Sequence, residues 1–404
     1  MTVDAEVIVV GGGPGGSAAA REIATLGKRV MLLDRERFPR DKPCGGGLSV
    51  KSVALLPFDI SHVVEHIATG VIVGDPSAGS ATQEAGEPML FLTQRCRLDA
   101  FLLDQARAAG VDVREGQRVT RVLRREDGVF EVTVNLDDVS TGDQDSDIVY
   151  TSYVVVGADG ANGVVGRALG FAPPAEHGVA LEGNLPCPDG IPDWLRGRVL
   201  VSFAMLAGGY GWLFPKGDHV NVGVGGLEDA GPELRDELAR FCTLFGWDIE
   251  RLEDVRGHRL PLWGPGRRVA SGGAALVGDA AGLVEALLGE GMYSALASAH
   301  LLAPVVAQYL DGAVGDLEAY QRALDRELAP SLQRAARIAA ILHAWPRPLL
   351  RIVVGSQRIW WLMARVMDSG SGTHSGVVTM WLADALLRPL AWIARRRGPT
   401  SGRA

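Results

Sequence analysis

The chain begins with two short apolar runs separated by a segment of helical periodicity. Val7 to Val10 are continuously apolar, Ser17 to Leu26 carry alanine, isoleucine and leucine at helical spacing, and Lys28 to Asp34 form a second, largely apolar run. Strand, helix and strand in this order are typical of a parallel sheet with a right-handed crossover. The pattern therefore predicts the first half of a doubly wound parallel sheet.

Helical and alternating patterns follow one another along the rest of the chain. A helix is predicted over Leu98 to Ala109, and Glu126-Asp127-Gly128 has the composition of a hairpin turn. The further predicted strands are Val111 to Arg114, Gln117 to Leu123, Gly128 to Asn135, Tyr153 to Val156, Val199 to Met205, His219 to Gly225 and Ala274 to Val277. A long helix is predicted after the last of them.

The C-terminal part of the chain has a different composition. Between Arg334 and Arg397 only two acidic residues, Asp368 and Asp384, stand against ten arginines at 334, 337, 347, 351, 358, 365, 388, 395, 396 and 397. The same stretch holds Trp345, Trp360, Trp361, Trp381 and Trp392. No run there reaches the roughly 18 uncharged residues of a spanning helix. Two interpretations stay open: helices that lie on an anionic membrane surface, or a helical cap with arginines toward water and tryptophans packed inward.

Composition and charge narrow the class of protein. The 404 residues are 47% apolar and 22% charged with 52 glycines, which is typical of a loop-rich globular enzyme. A net charge of -8 disfavours nucleic acid as a partner, since phosphates need a basic face. The four cysteines, Cys44, Cys96, Cys187 and Cys242, have no CxxC spacing and no export signal is recognised, so we expect free thiols, no metal site and a cytoplasmic location.

A glycine loop, Gly11-Gly12-Gly13-Pro14-Gly15-Gly16, follows the first predicted strand and satisfies GxGxxG. Its glycines allow a tight turn, close approach of the backbone to a pyrophosphate and close packing of helix on strand. Asp34 ends the next strand, where a carboxylate can accept from ribose hydroxyls. Arg35 beside it is either a cofactor contact or a surface charge. The loop, with Pro14 and Gly15, therefore predicts a dinucleotide site.

Two later segments repeat this combination of small residues and a carboxylate. Gly157-Ala158-Asp159-Gly160 follows one predicted strand, and Gly278-Asp279-Ala280-Ala281-Gly282 follows another, with Gly289-Glu290-Gly291-Met292 just beyond. A helix N-terminus there can stabilise a flavin phosphate or the anionic flavin ring. Asp279 can accept from ribityl or ribose hydroxyls.

With these three motifs in this order, the chain resembles flavoproteins of the p-hydroxybenzoate hydroxylase type. The resemblance implies FAD, held by Gly11, Gly13, Gly16, Asp34, Asp159, Gly278, Asp279, Gly289, Gly291 and Met292. Arg95-Cys96-Arg97-Leu98-Asp99 matches the R-x-x-hydrophobic-D pattern of such proteins, which implies that Arg95 approaches the flavin. A solvated arginine at the start of a helix is the alternative.

The predicted fold is of the α/β and α+β class and has three parts. A Rossmann-like FAD-binding domain, residues 1–75, 95–173 and 265–315, is interleaved with an antiparallel-sheet substrate domain, residues 76–94 and 174–264. A C-terminal helical region, residues 316–404, follows.

Two further segments resemble the geranylgeranyl reductase family. They are Lys42-Pro43-Cys44-Gly45-Gly46-Gly47 and Tyr210-Gly211-Trp212-Leu213-Phe214-Pro215-Lys216. The resemblance places Cys44 and Gly45 near the flavin, with Cys44 either catalytic or a small space-filling residue. It implies that Tyr210, Trp212, Phe214 and Pro215 line a polyprenyl cavity, where aromatic walls exclude water. The less favoured alternative, on spacing alone, is an alternating strand packed in an ordinary core.

The sequence also departs from these families. Asn162-Gly163-Val164-Val165-Gly166-Arg167 replaces the usual serine and arginine after the DG motif, and Glu285-Ala286 stand where a proline commonly follows the GD motif. Glu285 either alters the front face of the flavin or points to solvent.

The expected reaction is reduction of isolated C=C bonds in a polyprenyl lipid by reduced FAD, with Cys44 and Tyr210 as candidate acids. NADPH is the expected electron donor, with ferredoxin or another carrier as the alternative. Two other functions stay open: an FAD monooxygenase or halogenase of a small aromatic, and a non-catalytic prenyl-binding escort protein. The expected partners are a polyprenyl lipid and, through the C-terminal helices, the inner face of the membrane.

Overall fold

The structure is a computed structural model that describes residues 2–75, 79–136, 147–203, 208–356 and 387–398. Over these residues the strands, in chain order, are β1 Val7–Val10, β2 Val30–Leu33, β3 Gly47–Ser49, β4 Val64–Ala68, β5 Gly70–Asp75, β6 Gly79–Glu84, β7 Leu90–Thr93, β8 Asp112–Arg114, β9 Gln117–Arg124, β10 Phe130–Leu136, β11 Ile148–Ser152, β12 Val154–Gly157, β13 Glu176–Pro186, β14 Arg198–Phe203, β15 Tyr210–Pro215, β16 His219–Leu227, β17 Glu253–Leu262, β18 Ala270–Ser271 and β19 Ala274–Leu276.

The helices follow the strands in alternation and then dominate the C-terminal part. They are α1 Pro14–Thr25, α2 Val50–Ala54, α3 Arg95–Ala108, α4 Val165–Ala168, α5 Leu234–Leu244, α6 Met292–Leu310, α7 Glu318–Glu327, α8 Ala329–Ala344, α9 Pro346–Gly355 and α10, residues 387–397. Among the described residues, none of these helices is both long and apolar enough to cross a bilayer.

The predicted parallel sheet is confirmed. Its strand order is β18-β19-β12-β1-β2-β8, and β1 pairs in parallel with both β12 and β2. Every residue of β1, β2 and β12 is buried, because helices α1, α3 and α6 lie on one face and the antiparallel β9–β11 sheet lies on the other. The carboxyl ends of β1, β12 and β19 therefore meet at one edge.

A second, seven-stranded sheet has the order β17-β13-β16-β15-β14-β5-β6, and all its neighbours are antiparallel except β14 and β5. Its side chains alternate between two environments. Leu213 of β15 packs with Val222, Leu238 and Phe241 in a core covered by α5. Tyr210, Trp212 and Phe214 of the same strand point to the opposite face, which is turned toward the parallel sheet.

Two element boundaries differ from the sequence-based expectation. Helix α1 begins at Pro14 rather than Ser17, because proline is well suited to the first position of a helix. The long helix predicted after Gly278-Asp279-Ala280-Ala281-Gly282 is present, but it does not follow that segment directly. Gly278–Ala281 form one short 3-10 turn that ends at left-handed Gly282, with φ of 64°, and α6 begins only at Met292.

The C-terminal helices pack near strands β5, β6 and β14 of the second sheet. Helix α8 packs against Leu287 through Ala335, Ala339 and Leu342, and α10 packs on α8 and α9. Arg334, counted above among arginines that would face water, is buried, so that part of the cap interpretation is wrong. Arg358, Arg365, Trp360, Trp361 and Trp381 lie outside the described residues.

Candidate active site

The glycine loop joins the end of β1 to α1 with almost no free space. A Cβ on Gly11, whose φ is 105°, would lie 2.4 Å from the Ala158 carbonyl oxygen, and one on Gly16 would lie 1.8 Å from the Gly11 carbonyl oxygen. At Gly13, by contrast, the nearest atom to an added Cβ is an Arg40 guanidinium nitrogen at 3.8 Å. The backbone at Gly13 is therefore open for a phosphate at the N-terminus of α1, and these residues fit the pyrophosphate of FAD.

Asp34 is buried and both its carboxylate oxygens are engaged. Oδ2 accepts from the Gly12 amide at 2.6 Å, and Oδ1 accepts from the Glu36 amide at 2.8 Å. The side chain therefore fixes the glycine loop against the end of β2. Arg35 is 60% exposed and forms an ion pair with Glu36 at 3.2 Å, which places it at the surface.

Arg40 is a cation near the glycine loop that sequence reasoning missed. Its guanidinium stacks on Phe38 at 4.7 Å from the ring centroid, and its Nη1 lies 3.1 Å from Asp99 Oδ2. Proximity to Gly13 suits a group that binds a pyrophosphate. An arginine in a loop carries no signal of this role in the sequence.

Arg95 is buried at the first turn of α3, so the solvated alternative is excluded. Its Nε and Nη2 donate to the two carboxylate oxygens of Asp99, each at 2.7 Å. Burial alone would lower the pKa of Arg95, but Asp99 and Cys44 more than offset this and raise it. Arg95 is thus a permanently charged group that lies beside the cavity and next to Cys44.

Two buried groups of opposite charge hold the Cys44 loop. Glu182 of β13 accepts from the Cys44 amide. Lys216, at the end of β15, donates to the Gly45 carbonyl at 2.6 Å and to the Thr93 carbonyl at 3.0 Å. Burial raises the pKa of Glu182 to about 7 and lowers the pKa of Lys216 to about 8. Successive residues of the loop are therefore fixed through their backbone.

Asp279 lies between two basic side chains. Its Oδ2 is 3.7 Å from Lys42 Nζ and 3.8 Å from His258 Nε2. Burial would raise the pKa of Asp279, but Lys42 and His258 outweigh it and lower the pKa to about 2. The carboxylate is therefore ionised at neutral pH. Gly278, Gly289, Gly291 and Met292 line the cavity around it.

Asp159 has a different role from Asp279. Its Oδ2 accepts from the Val164 and Val165 amides at 2.6 and 2.9 Å, which caps α4. Its neighbours Ala158 and Gly160 line the cavity, but the Asp159 side chain is not among the lining groups. Asp159 therefore shapes the site through the backbone.

One cavity of about 930 Å³ connects these groups to the second sheet. Its charged part, called here the polar end, is lined by Lys42, Cys44, Arg95, Glu182, His258 and Asp279 beside the glycine loop. Its other part, the apolar arm, is lined by Val71, Val73, Val199, Val201, Phe203, Leu287, Leu288, Leu332, Ala335, Ile338, Leu342 and Leu350. The two parts are continuous.

Three aromatic residues of β15 stand where the polar end meets the apolar arm. Tyr210 donates its hydroxyl to the Leu288 carbonyl, and burial raises its pKa. Trp212 donates to Asn221 Oδ1 at 2.8 Å, and Phe214 packs directly on Gly45. All three line the cavity, whereas Pro215 is buried on the opposite face of the strand and is not a lining residue. The interpretation of this strand as an ordinary core strand therefore does not hold for Tyr210, Trp212 and Phe214.

Glu285, whose direction the sequence left open, turns back onto its own loop. It accepts from the Leu287 and Leu288 amides at 2.6 and 2.8 Å. Burial raises its pKa to about 7. It thereby fixes the carbonyl of Leu288 that receives the Tyr210 hydroxyl.

Known proteins that are similar to this chain include FAD-binding proteins and reductases. Residues 4–187 match the FAD binding domain family. The chain is 31% identical to the menaquinone reductase of Mycolicibacterium smegmatis over 85% of each chain. It is 32% identical to a chloroplastic geranylgeranyl diphosphate reductase of Oryza sativa subsp. japonica, over 80% of this chain and 72% of the other.

Solved structures share the fold along nearly the whole chain. A geranylgeranyl bacteriochlorophyll reductase-like protein from Thermoplasma acidophilum has a TM-score of 0.79 at 21% identity and covers 97% of this chain and 99% of its own. A flavin-dependent brominase has a TM-score of 0.70 at 18% identity, covering 95% of this chain and 100% of its own. At these identities the likeness is one of fold.

Proposed function

Because the chain belongs to the geranylgeranyl reductase family of FAD-dependent oxidoreductases, we propose that it saturates C=C bonds in a polyprenyl chain. The observation that carries this proposal is the continuity of the apolar arm with the FAD-compatible polar end. A long apolar chain fits walls of valine, leucine and isoleucine, and its double bonds can reach the polar end. A small aromatic substrate would leave most of the arm empty.

Reduction of an isolated trisubstituted alkene needs a proton and a hydride. Bound reduced FAD supplies the hydride when the site is loaded. The proton adds to the less substituted carbon, so that positive charge develops on the tertiary carbon, where the hydride is added. The apolar walls exclude water from that cation.

We assign the proton to the Cys44 thiol. The S–H bond breaks as the new C–H bond forms, and the Arg95 and Lys216 side chains, which both interact with Cys44, lie beside the sulfur that gives up the proton. Glu182, with its raised pKa of about 7 and its hydrogen bond to the Cys44 amide, can return the proton. Tyr210 is the weaker candidate, because its hydroxyl is directed at the Leu288 carbonyl and burial raises its pKa.

The substrate class we propose is a prenylated lipid, quinone or diphosphate. The relatives reported above are named as reductases of menaquinone and of geranylgeranyl diphosphate, which differ in head group, and the apolar arm suits the polyprenyl chain that such molecules share. We propose NADPH, with ferredoxin or another carrier as the alternative, as the source of electrons.

The two rival functions have less support. The likeness to a brominase is one of fold at 18% identity, whereas the relatives above 30% identity are named reductases. An escort protein without flavin would have no use for the open backbone at Gly13 or for the paired charges around Asp279.

Anaerobic turnover of the purified holoprotein tests the proposal. Dithionite-reduced enzyme is mixed with geranylgeranyl diphosphate, and separately with a detergent-dispersed menaquinone, and products are analysed by mass spectrometry. We expect gains of two hydrogens per reduced bond. No mass gain with either substrate, together with oxygen consumption on an aromatic, would sink the proposal. A parallel arm with NADPH tests the electron donor alone.

A further inference from the structure

Helix α10 presents apolar side chains to solvent on its outer surface. Trp392 is 57% exposed, Ile393 47% and Leu390 46%, and Ile352 of the neighbouring α9 is 50% exposed. Singly exposed apolar residues are ordinary, but three of them within four residues of one short helix, including a tryptophan, are not. We call Leu390, Trp392 and Ile393 the outer patch.

Arginines are interleaved with the outer patch. Residues 387–398 contain four arginines and no acidic residue, although the whole chain carries a net charge of -8. Arg388, Arg395, Arg396 and Arg397 are all exposed. Arg396 lies over the Trp392 ring at 3.7 Å, and Arg397 lies 5.7 Å from the Trp345 ring. Aromatic and aliphatic groups flanked by arginine are the composition of a helix that lies in a membrane interface.

Against the other described residues, α10 packs through a narrow stripe of small side chains. Ala391 and Ala394 are buried against Ile341 and Ala344 of α8. The small side chains bring α10 close to α8. The larger apolar side chains of α10 are left on the outside.

The same helix α8 connects this surface to the cavity. Its Leu332, Ala335, Ile338 and Leu342 line the apolar arm, while its Ile341 and Ala344 support α10. The outer patch is therefore one helix layer away from the apolar arm.

We propose that the outer patch, with Arg395 and Arg396, docks the protein on a bilayer containing anionic phospholipids. Aliphatic and aromatic side chains enter the interface, and the arginines meet lipid phosphates. Docking on this face puts α8 and the apolar arm next to the membrane. Docking on this face would shorten the path of a prenylated lipid from the bilayer to the cavity; this last step rests on the proposed function, whereas docking itself does not.

Vesicle sedimentation of the full-length holoprotein tests the docking. Wild type should partition to phosphatidylcholine vesicles containing about 30% phosphatidylglycerol and much less to phosphatidylcholine alone. Trp392→Ser with Ile393→Ser should weaken partitioning about tenfold or more. Arg395→Gln with Arg396→Gln should weaken it roughly 25-fold, at about fivefold for each arginine, and only on anionic vesicles.

Matched variants elsewhere on the surface provide the controls. Leu26, 49% exposed, is changed to serine, and Arg235 and Arg322, exposed on other helices, are both changed to glutamine. These variants should partition like wild type. Unchanged flavin content and thermal midpoint in all variants show that folding is intact.

Two results would overturn the proposal. One is failure of wild type to bind anionic vesicles. The other is loss of binding in the arginine variant with no loss in the Trp392 and Ile393 variant, which would show electrostatic attraction to the vesicle surface without insertion of the outer patch. Prenyl reduction is measured separately on detergent-dispersed substrate, where the docking variants should match wild type, so failure of the proposed function is told apart from failure of docking.

Discussion

The polar end and the apolar arm of the cavity differ in the kind of contact that holds their side chains in place. At the polar end, each charged group has a partner at a defined distance, as in the bidentate Arg95–Asp99 pair. In the apolar arm, residues such as Ile338 and Leu342 provide shape without directed bonds. Directed bonds fix single atoms, whereas apolar walls accept any chain of suitable width. Substitutions at the polar end should therefore reduce FAD binding, activity and stability much more than substitutions in the apolar arm.

The largest effect is expected at the glycine loop. Gly16→Ala should abolish FAD binding, because the new Cβ would lie 1.8 Å from the Gly11 carbonyl oxygen. The measurement is flavin content after purification and titration with FAD. Gly315→Ala, where nothing lies within 4 Å of an added Cβ, should retain its flavin. Normal FAD affinity in Gly16→Ala would contradict the tight junction between β1 and α1.

The second largest effect is expected at the residue that donates the proton to the alkene. Cys44→Ala should lower the rate of prenyl reduction about 100-fold or more, while Tyr210→Phe should lower it less than about tenfold. Single-turnover rates of reduced, flavin-loaded enzyme measure both. The reverse order of the two effects would move the proton from Cys44 to Tyr210.

The buried ion pair should dominate stability. Asp99→Asn should lower the free energy of unfolding by about 3–5 kcal/mol, because it leaves Arg95 and Arg40 without their counter-charge. Denaturant titration is the measurement. Asp104→Asn, which breaks an exposed pair with Arg107 on the same helix, should cost under about 1 kcal/mol. Equal costs would mean that the burial of Arg95 is energetically unimportant.

The pH dependence of stability should reveal Glu182. Its pKa is raised to about 7 in the folded protein from 4.5, so the folded state holds a proton that the unfolded state has lost between these values. Its contribution therefore destabilises the fold progressively as pH rises from 4.5 to 7 and is constant above. Glu182→Gln should remove this pH dependence, which amounts to a change of about 3 kcal/mol in the free energy of unfolding between pH 4.5 and 7. Unfolding titrations across this range should show no such difference for exposed Glu327→Gln.

The smallest effect is expected in the apolar arm. Ile338→Val should cost about 0.5–1.5 kcal/mol in stability and leave FAD binding unchanged. Thermal unfolding and flavin content measure the two. A loss of flavin in this variant would contradict the view that the apolar arm does not take part in FAD binding.

Features that depend on neighbouring residues were readable from the sequence. The glycine loop, the parallel strands around it and the alternation of Tyr210, Trp212 and Phe214 each follow from local spacing, and the structure has these strands where they were predicted. The long helix after the last strand was also predicted, but its separation from the Gly278–Ala281 turn was not, because that separation depends on the left-handed conformation of Gly282.

Features that depend on sheet register were missed. Glu182 is one residue in an ordinary strand, and it reaches Cys44 only because β13 lies beside β16 and β17 in the second sheet. Lys216 likewise gains its role from Gly45 and Thr93, which are distant in sequence. Asp34 has the position expected of a ribose ligand, but a carboxylate there can equally bind a loop amide, as it does with Gly12.

The apolar arm is walled mainly by aliphatic side chains, although Ser331 and Arg334 of α8 also line the cavity, and this has a consequence for motion. A polyprenyl chain repeats itself at every isoprene unit, and aliphatic walls make no contact that distinguishes one unit from the next. Sliding the chain by a whole unit would leave its surroundings almost unchanged, so the barrier to sliding is low compared with the cost of returning the chain to water. A cavity of this kind can present successive double bonds to one reactive position and hold the molecule throughout.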